Sequence, residues 1–105
     1  MKAAILPRAE DDIIGQFRYY ALEQDAPRTA TRLREGVRAS LNQLKAHPRM
    51  GAMIRCSIPD LRCWPVRGFS AIRIYYLESP GSIRVVRIRH GKRDVRRVLA
   101  DEYVS

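Results

Sequence analysis

Two hydrophobic periods divide this chain: apolar residues recur every three to four positions up to about residue 47 and alternate from about residue 51 onward. Ahead of the helical stretch, Lys2 to Leu6 is a short apolar run ended by Pro7, which suits a strand that stops where a helix opens with proline in its first turn. From Ala9 to about Glu23, Ala9, Ile13, Phe17, Tyr20 and Ala21 recur at helical spacing, with Glu10, Asp12, Gln16 and Arg18 on other faces. The acids Glu10, Asp11 and Asp12 fall in the first turn, where they complement the helix dipole. Asp25-Ala26-Pro27 then breaks the chain and starts a second helix, with Asp25 as expected cap. Its core positions are Ala30, Leu33, Val37, Leu41 and Leu44, and Arg28, Arg32, Arg38 and Lys45 take the polar side. It ends at His47-Pro48, because the residue before a proline is pushed out of the helical region. The two form a helical hairpin with one apolar seam.

Past Met50-Gly51 the pattern is that of strands. Leu61 to Val66 is a broken strand in which Pro65 favours an edge or bulge. Ser70 to Glu78 alternates cleanly, with Ile72, Ile74 and Tyr76 on one face and Ala71, Arg73, Tyr75 and Leu77 on the other. Ser79-Pro80-Gly81-Ser82 is a hairpin turn, and Ile83 to Arg89 returns. Strict alternation there puts Ile83, Val85, Arg87 and Arg89 on one face and Arg84, Val86, Ile88 and His90 on the other. A basic exit loop, His90 to Asp94, leads to a short expected helix over Val95 to Ala100. The order predicts an α+β fold: an N-terminal strand, then a helical hairpin laid on one face of a small antiparallel sheet, then a short C-terminal helix.

Composition narrows the partner. One hundred and five residues make one domain, 1–105. Twenty Lys+Arg against eleven Asp+Glu give a formal charge of +9, so the surface attracts an anion: nucleic acid, an acidic protein or an anionic membrane. Residues 1–50 hold nine basic and six acidic groups, residues 51–105 eleven and five, which places the stronger field in the second half. Most of the basic residues are arginines, suited to bidentate anion contacts, although a GC-rich genome would give the same bias. The N-terminal apolar run is too short for a signal peptide and no stretch approaches a membrane span, so a cytoplasmic protein without membrane association is expected. Cys56 and Cys63 lie seven apart, which fits neither a redox pair nor a disulfide framework. A zinc site would need both with His47 and His90 at no recognised spacing, so no metal or cofactor is expected.

The segments Leu61-Arg62-Cys63-Trp64-Pro65-Val66-Arg67-Gly68-Phe69, Ile72-Arg73-Ile74-Tyr75-Tyr76, Ile83 to Ile88 and His90-Gly91-Lys92-Arg93-Asp94 together resemble the toxins of the RelE/ParE superfamily of type II toxin–antitoxin modules, the ParE branch most. Leu6 to Ile13 and Pro48-Arg49-Met50-Gly51 fit the same pattern. The resemblance implies a helical hairpin on an antiparallel sheet and a growth inhibitor silenced by a cognate antitoxin with an acidic tail, of the ParD kind. It also implies that operator DNA is reached only through that antitoxin. ParE-like members act on DNA gyrase; RelE-like members cut mRNA on the ribosome without a metal.

The alternative, a RelE-like endonuclease, would use Arg73 and Arg93 to steady phosphate charge and His90 as proton mover. The resemblance places the nuclease lysines near Trp64 and Val66 and its late tyrosine near Leu99, so half of that set is missing, unless Arg62 or Arg67 substitutes. Tyr103 is a late tyrosine at another position, and Gly91 follows His90 where related nucleases have tyrosine. The plainer reading of His90, and the one the pattern favours, is a structural cap on the last strand that hydrogen-bonds the exit loop. A contact mechanism through gyrase therefore leads. The expected partner-binding residues are Trp64, Arg67, Tyr75, Arg84, Arg87, Arg89 and Arg93, with Arg84, Arg87 and Arg89 as a strip for an acidic antitoxin. Each has a plainer reading: Trp64 and Tyr75 as packing, the arginines as a solvated face.

Overall fold

Leu6 leaves the first strand in an extended conformation (φ −70°, ψ 155°), and Pro7 occupies the opening helical position, where a missing N–H costs nothing. The computed structural model describes residues 1–90. Within them lie β1 (Lys2–Ile5), α1 (Pro7–Arg18), a π-helical turn (Tyr19–Glu23), α2 (Pro27–Ala46), β2 (Ala52–Met53), β3 (Arg62–Val66), β4 (Phe69–Ser79) and β5 (Ser82–His90). The expected C-terminal helix and Arg93 lie outside the described residues. The first helix thus ends at Arg18, and the chain widens into a π turn before Gln24. Asp25 does not cap α2. It takes the left-handed region (φ 46°), which a short polar side chain tolerates where the chain reverses sharply, and Ala26 holds the N-cap position.

All five expected core positions of α2 are buried, and so are Gly36 and Ser40. These two fix α2 to the β3–β4 turn. A Cβ on Gly36 would collide with the carbonyl oxygen of Arg67, and Ser40 Oγ accepts the Arg67 N–H at 2.9 Å. No periodic pattern marks such small residues as contacts.

The sheet has five strands in the order β1-β5-β4-β3-β2. It is not wholly antiparallel: β1 pairs in parallel with β5, Lys2 opposite Ser82 through Ile5 opposite Val85. The helical hairpin intervening between β1 and the later strands makes this pairing feasible, since a parallel neighbour requires a long crossover. β2 covers only Arg62 and Cys63 of β3, so Pro65 sits where β3 has become an edge.

Both helices cover one face. Leu33, Val37, Leu41 and Leu44 of α2 and Ala9 of α1 pack on Ile72, Ile74, Tyr76, Ile83, Val85 and Ile88. A smaller cluster occupies the second face, where Ile58 and Leu61 of the β2–β3 connection cover Cys63, Tyr75 and Val86. That connection is closed by a 2.9 Å bond from Ile54 N–H to the Leu61 carbonyl. Fully burying a residue such as Ile58 contributes about 1.5–3 kcal/mol.

The alternation expected for the last strand fails at Val86. Tyr75 pairs with Arg87 but Tyr76 with Val85, so Val86 is an extra residue and the phase resets. Ile83, Val85, Ile88 and His90 consequently share the helical side, and Arg84, Arg87 and Arg89 the second face. One inserted residue sorts apolar from basic positions that strict alternation would have mixed.

Past Val85, β5 outruns β1, and α1 closes its exposed edge. Asp12 Oδ2 accepts the Ile88 N–H at 3.0 Å, and Gln16 Nε2, one helical turn on, donates to the Ile88 carbonyl at 2.7 Å. Asp12 also takes Arg87 bidentately, Nε at 2.7 Å and Nη2 at 2.9 Å, with both side chains about nine-tenths buried. At the other end of the sheet the fully buried Tyr76 donates from its hydroxyl to the Pro48 carbonyl at 2.7 Å and accepts the Gly51 N–H at 3.0 Å. Arg62 Nη1 holds the Gly51 carbonyl at 2.7 Å.

Two outcomes follow from these locks. Asp12→Ala leaves the Arg87 charge without its carboxylate and the β5 edge unpaired; urea denaturation should show a loss of about 3–5 kcal/mol, and Asp12→Asn a smaller one. Burial raises the Tyr76 phenol above the ordinary value of 10.0, and burial followed by the neighbouring Cys63 does the same for Tyr75. A raised folded pKa means stability that is complete below pH 10 and lost as pH climbs through the folded values, because the unfolded chain releases these protons first. Chemical denaturation between pH 8 and 12 should show that decline. Tyr76→Phe should make it shallower, at a cost of about 1–3 kcal/mol at neutral pH.

Candidate functional site: the arginine face of the sheet

The bulge in β5 and the placement of both helices on one side leave the second face as the place where arginines collect. Arg84 is exposed there, opposite Leu77 of β4 and Ala4 of β1. Arg89 is half-buried and lies directly opposite Arg73. Arg87, expected to dock a partner, is only 7% exposed and bound to Asp12. Its guanidinium serves the α1–β5 junction, so the expected strip of three arginines contains two that solvent reaches. The carboxylate responsible comes from a helix 75 residues away in sequence, which no local pattern reveals.

Tyr75 is 2% exposed, packed between Cys63 and Arg87 by the strand register, and so presents no open ring for stacking. Its hydroxyl sits in the field of Arg73 and Arg89, which pull its pKa down against the stronger effect of burial. Arg73 Nη1 approaches Cys63 Sγ at 3.8 Å. Cys56 and Cys63 are both free thiols, the first packed against the second-face cluster and the second part of it. Among the described residues no three His, Cys, Asp or Glu side chains come together as metal ligands.

Trp64 and Arg67 lie elsewhere. Trp64 pairs with Ile74 and rests half-buried against the helix-side core, on the stretch of β3 that β2 leaves uncovered. Arg67 is exposed on the β3–β4 turn and lines a cleft of about 330 Å³ with Arg32, Glu35, Gly36 and Phe69. His90 ends β5 opposite Ile72, exposed and on the helical side. Arg73 and Arg89 point from the other face, so the strand register brings the two arginines together and sets the imidazole apart from them. No described helix is long and apolar enough to cross a membrane.

The fold has known counterparts. The chain is similar to the chromosomal ParDE toxin–antitoxin system of P. aeruginosa, with a TM-score of 0.69 at 16% identity over 88% of this chain and 97% of that one. The isolated E. coli RelE toxin superposes with a TM-score of 0.55 at 17% identity, over 99% and 98% of the two chains. At these identities the likeness is one of fold. No curated protein sequence matches. The model of the ParE toxin of type II toxin–antitoxin systems, parDE, matches residues 4–95, from the first strand beyond the last described one. With that match spanning the helical hairpin and the whole arginine-bearing sheet, the chain belongs to the ParE toxin family of type II toxin–antitoxin systems.

Proposed function

We propose that this toxin arrests growth in the cytoplasm by gripping DNA gyrase and holding it on cleaved DNA, acting by contact and not by chemistry of its own. The observation that carries the contact mechanism is the strand register: His90 pairs with Ile72 while Arg73 pairs with Arg89. A ribonuclease needs its proton mover and its charge-stabilising arginines on one phosphate, and here the imidazole and the guanidiniums emerge from opposite faces. The family and the ParDE-like fold support the same reading.

The antitoxin is a small ParD-like protein whose acidic tail folds on the toxin as it binds. Charge complementarity favours the second face as its seat, because Arg84 and Arg89 remain available there after Arg87 has been drawn to Asp12. Trp64, on the uncovered stretch of β3, and Arg67, on the adjoining turn, lie toward the helical side and supply an anchor and a further cation where a bound tail rounds the β3 edge of the sheet.

Purified toxin in molar excess should stop gyrase-driven supercoiling and accumulate cleaved DNA that protein digestion reveals; unchanged supercoiling with no cleaved DNA rejects the gyrase reading. New message ends in primer extension after induction would support the nuclease instead. Arg84→Glu should weaken the antitoxin complex about tenfold, or about 1.4 kcal/mol, in titration calorimetry at moderate salt, with the folded state unaffected because the residue is exposed.

A further inference from the structure

α1 uses its inner side on the core and on the edge of β5, but its outer side is not the wholly polar surface that an amphipathic helix ordinarily turns to water. Asp11, Ile14, Gly15, Arg18 and Leu22 follow one another there at helical spacing, and all are exposed, Ile14 at 49% and Leu22, on the π turn, at 75%. No contact within the chain calls for a glycine at position 15: nothing lies within 4 Å of where a Cβ would be. Glycine inside a helix is nevertheless destabilising relative to alanine. Asp11 and Arg18 have no ion-pair partner among the described residues, where the ion pairs join Arg87 to Asp12 and Arg49 to Glu78. Phe17, on the flank toward α2, is by contrast closed over by this chain, with the Arg34 guanidinium 4.7 Å from its ring.

We infer that the outer side of α1 is where two copies of this chain meet, as an antiparallel helix pair about a two-fold axis passing between Ile14 and Gly15. Ile14 of each copy then faces the partner's Gly15, where the missing side chain makes room for it and lets the two backbones approach closely. Asp11 faces the partner's Arg18 at both ends of that contact, so the surface is complementary to itself in charge, as a two-fold interface requires. Leu22 reaches over the partner's Pro7, which is also exposed in the single copy. A parallel pair would set Asp11 against Asp11 and Arg18 against Arg18, where like charges repel. An acidic partner segment is disfavoured for the same reason, because Asp11 and the exposed Glu10 stand in its way. Since α1 lies on the helical side, the pair leaves the second face of each sheet uncovered. A contact confined to one helix of 12 residues, roughly 18 Å long, falls short of a standard interface of about 1,600 Å², so the dimer is a weak one.

Sedimentation velocity of the full-length toxin without its antitoxin, from about 5 to 500 µM, should show a monomer–dimer equilibrium with a Kd of about 10–100 µM. Gly15→Leu should weaken it by about tenfold or more while raising the melting temperature of the dilute monomer, because leucine favours the helix and meets nothing there. A merely structural glycine would not move the two readouts in opposite directions. Arg18→Asp and Asp11→Arg should each weaken the dimer about tenfold, and the double variant Asp11→Arg/Arg18→Asp should return to within about threefold of the unaltered chain. A chain that stays monomeric over the whole range overturns the inference. So does a dimer indifferent to Gly15→Leu and to both charge reversals, which would be using another face. A monomer whose Ile14→Glu variant loses about tenfold in antitoxin affinity would give the face to the antitoxin and overturn it too. The supercoiling result bears on none of these outcomes.

Discussion

A sheet of five strands with helices on one side only must dispose of its other side, and much of this protein's architecture follows from how it does so. On the helical side the solution is burial, with Leu33, Leu44, Ile74, Tyr76, Ile83 and Ile88 all inaccessible to water. On the second side the β2–β3 connection lays Ile58 and Leu61 over Cys63, Tyr75 and Val86 and covers the middle of the sheet. Where that cover ends, the strands present arginine. A cation with a long apolar stem can sit on partly covered sheet while its head stays available to an anion.

The bulge at Val86 is what allows this division. Without it, Arg87 and Arg89 would share a side with Ile83 and Val85, and charge would be driven into the helix-side core. With it, the two ends of β5 obey the same division although the strand's own alternation does not. The cost is a kinked strand whose outer edge β1 no longer follows. Asp12 and Gln16 meet that cost from α1 by supplying the acceptor and donor that a neighbouring strand would have given Ile88. One carboxylate thereby neutralises the most deeply buried arginine, seals an edge and anchors a helix.

For the reading of function, the consequence is a separation of roles among residues that look alike. Arg87 is structural and Arg84 lies open. Arg73 and Arg89 face each other across the ladder with no carboxylate partner among the described residues. Type II toxins of this fold differ in what they act upon, and a shared scaffold does not decide the matter. Here the strand register sets His90 on the helical side and Arg73 and Arg89 on the other, and it is this separation on which the proposed contact mechanism rests.

Much was legible from residue order alone. The spacing of Ala30, Leu33, Val37, Leu41 and Leu44 marked the buried side of α2, the prolines marked where helices begin and end, and the alternation from Ile72 to Leu77 separated the two sides of β4, because helix and strand periods depend only on backbone geometry. The segments shared with ParE-like toxins also pointed to the family. Tertiary structure alone decided the parallel seat of β1, the close approach at Gly36, the phase of β5 and the capture of Arg87 by Asp12. Each depends on groups distant in sequence meeting in space, and the electrostatic fate of an arginine is set by whichever carboxylate the fold brings to it.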